Sequence, residues 1–318
     1  MPRPSALLAV AAVLALAACS GGSGEAASSA PAPPPSSAAS PSSSAASPSD
    51  APTTSSSTSP TDPAAAAGGT YLALGDSLAA GYQPGGTELR DSAYPALAAG
   101  RLARDGADLT VENLACSGET TTTFLEGGKC PGRSQMAKAE RLLEQNRGEV
   151  RLVTIDIGGN DLLRCVDAAS RSVDRSCVDR SLRTVRTNLP TIVDRLRAAA
   201  GEDVPVLVLG YYNPWLAASY LGEGQQELTV ATKAYTDLDT ALRQGAKKAG
   251  ATPVALTRAF RLDDESPTQF QGRQVPTNVA QVCTLTYICT AGDIHLTGEG
   301  AAVVGRVVAQ AATKAGVG

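Results

Sequence analysis

From Thr70 onward a short apolar run followed by a segment of helical period recurs along the chain, and this alternation restricts the fold more than any other feature. The apolar runs are Thr70–Leu74, Leu109–Leu114, Leu152–Ile157, Val204–Leu209 and Thr252–Ala255. Several are nearly continuous in apolar residues, as parallel strands covered on both faces require. Helical periodicity marks Tyr94–Arg104, Ser134–Gln145, Cys177–Ala200, Leu228–Ala249 and Thr297–Ala315. Pro190 is expected to kink the third of these or to mark a break in it. Alternation of this kind predicts an α/β sandwich around a mostly parallel five-stranded sheet. Right-handed crossovers then bring the C-terminal ends of all strands to one edge, where sites form in open α/β sheets.

The segments before this region read differently. Arg3 followed by the apolar run Leu7–Ala15 is too short to span a membrane and reads as an export leader. Leu16-Ala17-Ala18-Cys19 is similar to a bacterial lipobox, which implies cleavage before Cys19 and lipid on its sulfur. Residues 20–68 are almost entirely Ala, Ser, Pro, Thr and Gly and have too little apolar surface to offset the entropy of ordering. The expected organisation is therefore a leader over 1–18, a tether over 19–68 that starts at the lipidated Cys19, and one folded domain over 69–318. A tether of this length spans roughly 40 Å as a flexible coil and about 150 Å as extended polyproline II.

The net charge of −4, with no basic run that would grip phosphates, argues against a nucleic-acid partner. Seven cysteines are present, and without Cys19 the remaining six are an even set in a domain expected to be exported. Six cysteines permit fifteen pairings, and sequence alone does not choose among them. They do fall into three local couples, 116–130, 165–177 and 283–289. Neither Cys-x-x-Cys nor histidine spacing for zinc occurs, so no metal and no cofactor is expected.

His295 is the only histidine of the chain, so any serine–histidine chemistry must use it. Ser77 follows the first apolar run in Gly75-Asp76-Ser77, Gly118 follows the second, and Asn160 follows the third in Gly158-Gly159-Asn160-Asp161. His295 precedes the last helix, so four separate segments are predicted to converge on one rim. These residue types suit acyl transfer. A serine attacks once a histidine takes its proton, and the backbone N–H groups of Ser77 and Gly118 with the Asn160 amide are candidate oxyanion donors. The aromatic cluster Tyr211, Tyr212, Trp215 and Tyr220 reads equally as pocket wall or as core. No Gly-x-Ser-x-Gly elbow and no dinucleotide fingerprint is present.

In this order and after these strands, the blocks closely resemble those of the SGNH hydrolases, also called GDSL esterases and lipases. The resemblance runs over nearly all of residues 70–315. It implies a flavodoxin-like, three-layer α/β/α fold, hydrolysis of carboxylic esters, and an oxyanion hole from Ser77, Gly118 and Asn160. The three cysteine couples look like those of secreted members, which favours the local pairing. One departure stands out: the family pattern places an aspartate three residues before the histidine, and here that residue is Gly292, with Asp293 only two before. Either the Asp293 carboxylate reaches the imidazole or a backbone carbonyl orients it; a third reading makes Asp293 a helix cap, although Thr297 is the better-placed one. The expected protein is an exported, lipid-anchored monomer acting on an ester or lipid, with a narrower phospholipase, carbohydrate deacetylase or thioesterase as an alternative. A non-catalytic surface-binding module on the same fold is the rival from another class.

Overall fold

The computed structural model describes residues 68–167, 172–222 and 225–318. The leader, Cys19 and the rest of the tether up to residue 67 lie outside the described residues. The central sheet is built from β1 (Gly69–Gly75), β2 (Leu109–Asn113), β3 (Val150–Asp156), β4 (Val206–Leu209) and β5 (Thr252–Val254). All four pairings are parallel and the spatial order is β2-β1-β3-β4-β5. This is the flavodoxin-like order, with a crevice expected where the chain reverses direction between β1 and β3. Each strand overlaps its predicted run. Pro253 is tolerated in β5 because that strand is at the edge, where one row of N–H groups needs no partner.

Alternation along the strands divides the core into two layers. Tyr71 and Ala73 of β1 face one cluster with Leu207 and Leu209 of β4, while Leu72 and Leu74 face the other with Val153 and Ile155 of β3. The first layer is closed by the helix Tyr94–Arg104 and by the C-terminal helix Gly298–Lys314, through Tyr94, Leu102, Val304 and Val308. The second is closed by the helices Gln135–Gln145, Arg175–Ala200 and Gln225–Lys248, through Met136, Leu143, Leu182, Val185, Leu189, Leu238 and Leu242. The result is the predicted three-layer sandwich.

The long helix Arg175–Ala200 runs through Pro190 without the break that the sequence allowed for. Proline there removes one hydrogen bond, but Leu189, Ile192 and Val193 are fully buried and hold both halves against the sheet. Asp174 caps its start by accepting from Cys177 N at 3.0 Å. Thr297 caps the last helix by accepting from Gly300 N at 3.1 Å. Disulfides join Cys116 to Cys130, Cys165 to Cys177 and Cys283 to Cys289. Among the described residues no helix is long and apolar enough to cross a membrane.

Candidate active site

β1 ends in Gly75, whose φ of 129° and close approach to the next strand both require glycine: a Cβ there would lie 2.2 Å from the Asp156 carbonyl oxygen. The chain then turns directly into the single helical turn Ser77–Ala80, with Asp76 as its cap accepting from Leu78 N at 3.1 Å. Ser77 is thus held at the C-terminal rim of the sheet, 8 % exposed, at the mouth of a cleft. Asn160, Tyr211, Tyr212 and His295 line the same cleft.

His295 is fixed from several directions. Its ring Nδ1 lies 2.6 Å from Asp293 Oδ1, and its backbone N–H donates to the same oxygen at 2.8 Å. The carbonyls on either side of the histidine's own peptide bonds are also held, Ile294 O by the Tyr212 hydroxyl at 2.5 Å and His295 O by Tyr287 N at 2.9 Å. The Tyr82 ring leans against the imidazole with centroids 4.3 Å apart. Burial alone would raise the Asp293 carboxyl, but the hydrogen bonds and charge of His295 hold it below the usual aspartate range. Asp293 is therefore an ionised acceptor at neutral pH. With Nδ1 facing that carboxylate, Nδ1 is the nitrogen that carries the hydrogen in this contact, and Nε2 is the ring nitrogen turned away from Asp293.

Asn160 is presented by the turn Gly158–Gly159 at the end of β3, where Gly158 has a φ of 112°. Its amide nitrogen donates to Glu119 O at 3.0 Å and lies 3.3 Å from Asp76 Oδ2. Gly118 occupies the loop after β2 with a φ of 80°. It does not line the cleft shared by Ser77, Asn160 and His295; its loop is joined to them through Glu119 O and through Cys116 N, which donates to Gly75 O at 3.2 Å. Of the four segments expected to converge, three line the cleft, and the loop of Gly118 is joined to them by the bond from Asn160 to Glu119 O.

The aromatic cluster divides between its two readings. Tyr211 lines the cleft and donates to Asp76 Oδ2 at 2.5 Å. Tyr212 stacks on Phe260 in the core at 4.7 Å and also borders the cleft. Sequence reasoning passed over the buried polar groups beneath the rim. Gln135 clamps β1 by accepting from Gly75 N at 2.6 Å and donating to Gly75 O at 3.0 Å. Asp161 accepts from the Thr121 backbone and hydroxyl at 2.9 and 2.7 Å. Asp156, fully buried, accepts from the Tyr94 hydroxyl at 2.7 Å. A carboxylate closing an otherwise apolar strand was the available signal for the last.

The one cluster of potential metal donors among the described residues is Cys116, Glu119 and Cys130. Its two sulfurs are bonded to each other, so neither is a thiolate ligand.

An open parallel sheet with a serine, a histidine–aspartate pair and an asparagine at its C-terminal rim is an architecture of ester hydrolases. A model of the GDSL-like lipase/acylhydrolase family matches residues 73–303, and the chain belongs to that family, whose members are carboxylic ester hydrolases. Among solved structures, an extracellular lipase from Streptomyces rimosus aligns at 20% identity and a TM-score of 0.51, over 76% of this chain and 98% of the lipase. The lipase Lip_vut3 from a goat rumen metagenome aligns at 18% identity and a TM-score of 0.51, over 78% of this chain and 98% of that one. At these identities the likeness concerns the fold. No curated protein sequence matches the chain.

Proposed function

We propose that this chain is an exported serine esterase that cleaves carboxylic esters through an acyl-enzyme on Ser77. The observation that carries the reading is the 2.6 Å contact between Asp293 and His295 Nδ1, at a cleft that the imidazole shares with Ser77. His295 Nε2 takes the hydroxyl proton as Ser77 Oγ bonds to the ester carbon, and Asp293 stabilises the imidazolium that forms. The carbonyl oxygen becomes an oxyanion. The Ser77 N–H opens a helical turn and so lacks an intrahelical acceptor, which suits it as one donor. The Asn160 amide and the Gly118 N–H are the others. Collapse transfers the proton from His295 to the leaving alcohol. A water molecule, activated by the same imidazole, then attacks the acyl-enzyme and releases the acid with Ser77 restored.

Export and anchoring rest on the N-terminal sequence: the charged start, the apolar run and the small residues before Cys19. In this reading residues 19–68 tether a monomeric domain over 69–318 to the outer face of a membrane, and lipid-derived esters are a natural substrate class. Turnover of a p-nitrophenyl ester by the purified domain, lost in Ser77→Ala, tests the catalytic part. Release from membranes in Cys19→Ser, with undiminished activity in the soluble fraction, tests the anchor; unchanged membrane retention contradicts it.

A further inference from the structure

Gln135 opens the helix Gln135–Gln145 and is fully buried, yet it does not line the cleft of Ser77. A buried amide costs stability unless its acceptor and its donors are matched. Here they are. Oε1 accepts from Gly75 N at 2.6 Å, and Nε2 donates to Gly75 O at 3.0 Å and to Glu119 Oε2 at 3.1 Å. A backbone N–H only donates and a backbone carbonyl only accepts, so the two Gly75 partners fix which end of the amide is which.

The sheet explains why an amide is needed there. β1 continues to Gly75, but its pairing with β2 ends at Ala73 and Asn113. The Gly75 N–H therefore has no carbonyl of β2 to pair with, and an unmatched buried N–H costs about as much as a lost hydrogen bond. The Gln135 side chain takes the place of the missing peptide group: it offers a carbonyl and an N–H to one residue, as a neighbouring strand would. Cys116, just beyond β2, donates to the same Gly75 O at 3.2 Å. The second hydrogen of the Gln135 amide is then left for Glu119, and the same group joins two loops.

We propose that Gln135 is a positioning residue for the oxyanion donors, its one amide holding the end of β1 and the Glu119 loop in a fixed relation to each other. The inference rests on the esterase reading above, with Ser77, Gly118 and Asn160 as donors. Ser77 stands two residues beyond Gly75, and Gly118 immediately precedes Glu119. Asn160 donates to Glu119 O at 3.0 Å. Each donor is thus a short step from an atom that Gln135 holds, directly or through Glu119. Oxyanion stabilisation depends on donors that are in place before the charge develops. A misplacement of about 1 Å can cost on the order of a hundredfold in rate. Gln135 touches no substrate and acts through Gly75 and Glu119.

Steady-state kinetics on a p-nitrophenyl ester, with a melting curve for each variant, tests the role. Gln135→Met keeps the length of the side chain and loses all three hydrogen bonds. It is expected to lower kcat at least about tenfold with KM changed less than about threefold. A trifluoromethyl ketone supplies a readout that a loss of stability alone does not move. Ser77 Oγ bonds to its carbonyl carbon, the hydroxyl proton passes to His295, and the carbonyl oxygen becomes an oxyanion that needs the same donors. Its inhibition constant is expected to rise at least about tenfold in Gln135→Met, in step with the fall in kcat/KM. Should Gln135→Met not fold, Gln135→Asn, one methylene short of the clamp, is expected to change both quantities in the same directions by at least about fivefold. A folded variant with wild-type kcat, or a lowered kcat with an unchanged inhibition constant, overturns the proposal. A wild type that neither turns over the ester nor binds the ketone defeats the esterase reading and the proposal with it, whereas an active wild type with unaffected variants defeats the proposal alone.

Discussion

Asp293 Oδ1 binds both the ring Nδ1 and the backbone N–H of His295, although a single residue separates the two positions. The short spacing folds the carboxylate back over its own chain, so one oxygen fixes the peptide and the ring together. The geometry favours the carboxylate over a backbone carbonyl as the orienting group, and the capping role belongs to Thr297.

Asp293→Asn is therefore expected to lower kcat at least roughly a hundredfold with little change in KM, because the lost charge is felt mainly as the imidazolium forms. Steady-state kinetics on a p-nitrophenyl ester, with a melting curve to show that the variant is folded, checks this. Retention of more than about a tenth of the activity would indicate that the carboxylate charge is dispensable.

The same pair has a pH signature. Asp293 is depressed in the folded protein, so its stabilising bond is fully present above the unfolded aspartate value of about 4 and is lost as pH falls through the depressed value. The melting temperature of Asp293→Asn is expected to trail the wild type at neutral pH, and the gap is expected to close on acidification below that range. A gap independent of pH would show that ionisation of Asp293 contributes nothing.

Glu119 behaves in the opposite sense. Its burial raises the carboxyl, with Gln135 and Thr123 opposing, and Glu119 Oε1 is buried without a partner. A raised acid stabilises the fold below its unfolded value of about 4.3, and that contribution disappears as pH rises through the folded value. Glu119→Gln, which cannot ionise, is expected to gain on the wild type in melting temperature as pH increases from acid to alkaline. A constant difference between the two across that range would contradict the assignment.

How much of this was legible beforehand follows the distance over which each signal acts. The five strands were readable because burial on both faces forces continuous apolar runs, and their C-terminal ends locate Ser77 and Asn160 without knowledge of loop geometry, whereas His295 stood out as the only histidine, just before the last helix. Local pairing of the cysteines needed only their proximity in sequence and the family resemblance. Asp156, Gln135 and Tyr94 were not legible as a network, since they meet across 60 or more residues of chain: Gly75 with Gln135 and Tyr94 with Asp156 are separated by 60 and 62 positions. The continuity of Arg175–Ala200 through Pro190 likewise depends on tertiary packing, which local propensity does not contain.

The Cys116–Cys130 bond closes the loop that contains Gly118 and Glu119, with a sequence separation of 14. Loss of such a bond is expected to cost about 3 kcal/mol on chain-entropy grounds. Denaturant unfolding of the Cys116→Ala/Cys130→Ala double variant measures it. Because Glu119 O holds Asn160, kcat is expected to fall along with stability. Full activity in the folded double variant would detach the loop from the site.

The central claim is that Ser77 is the nucleophile, and covalent labelling tests it most directly. After treatment with a fluorophosphonate, peptide mass mapping is expected to place a single adduct on Ser77, with ester turnover lost in proportion to labelling and no adduct in Ser77→Ala. An adduct on another residue, or full turnover in Ser77→Ala, would contradict the account.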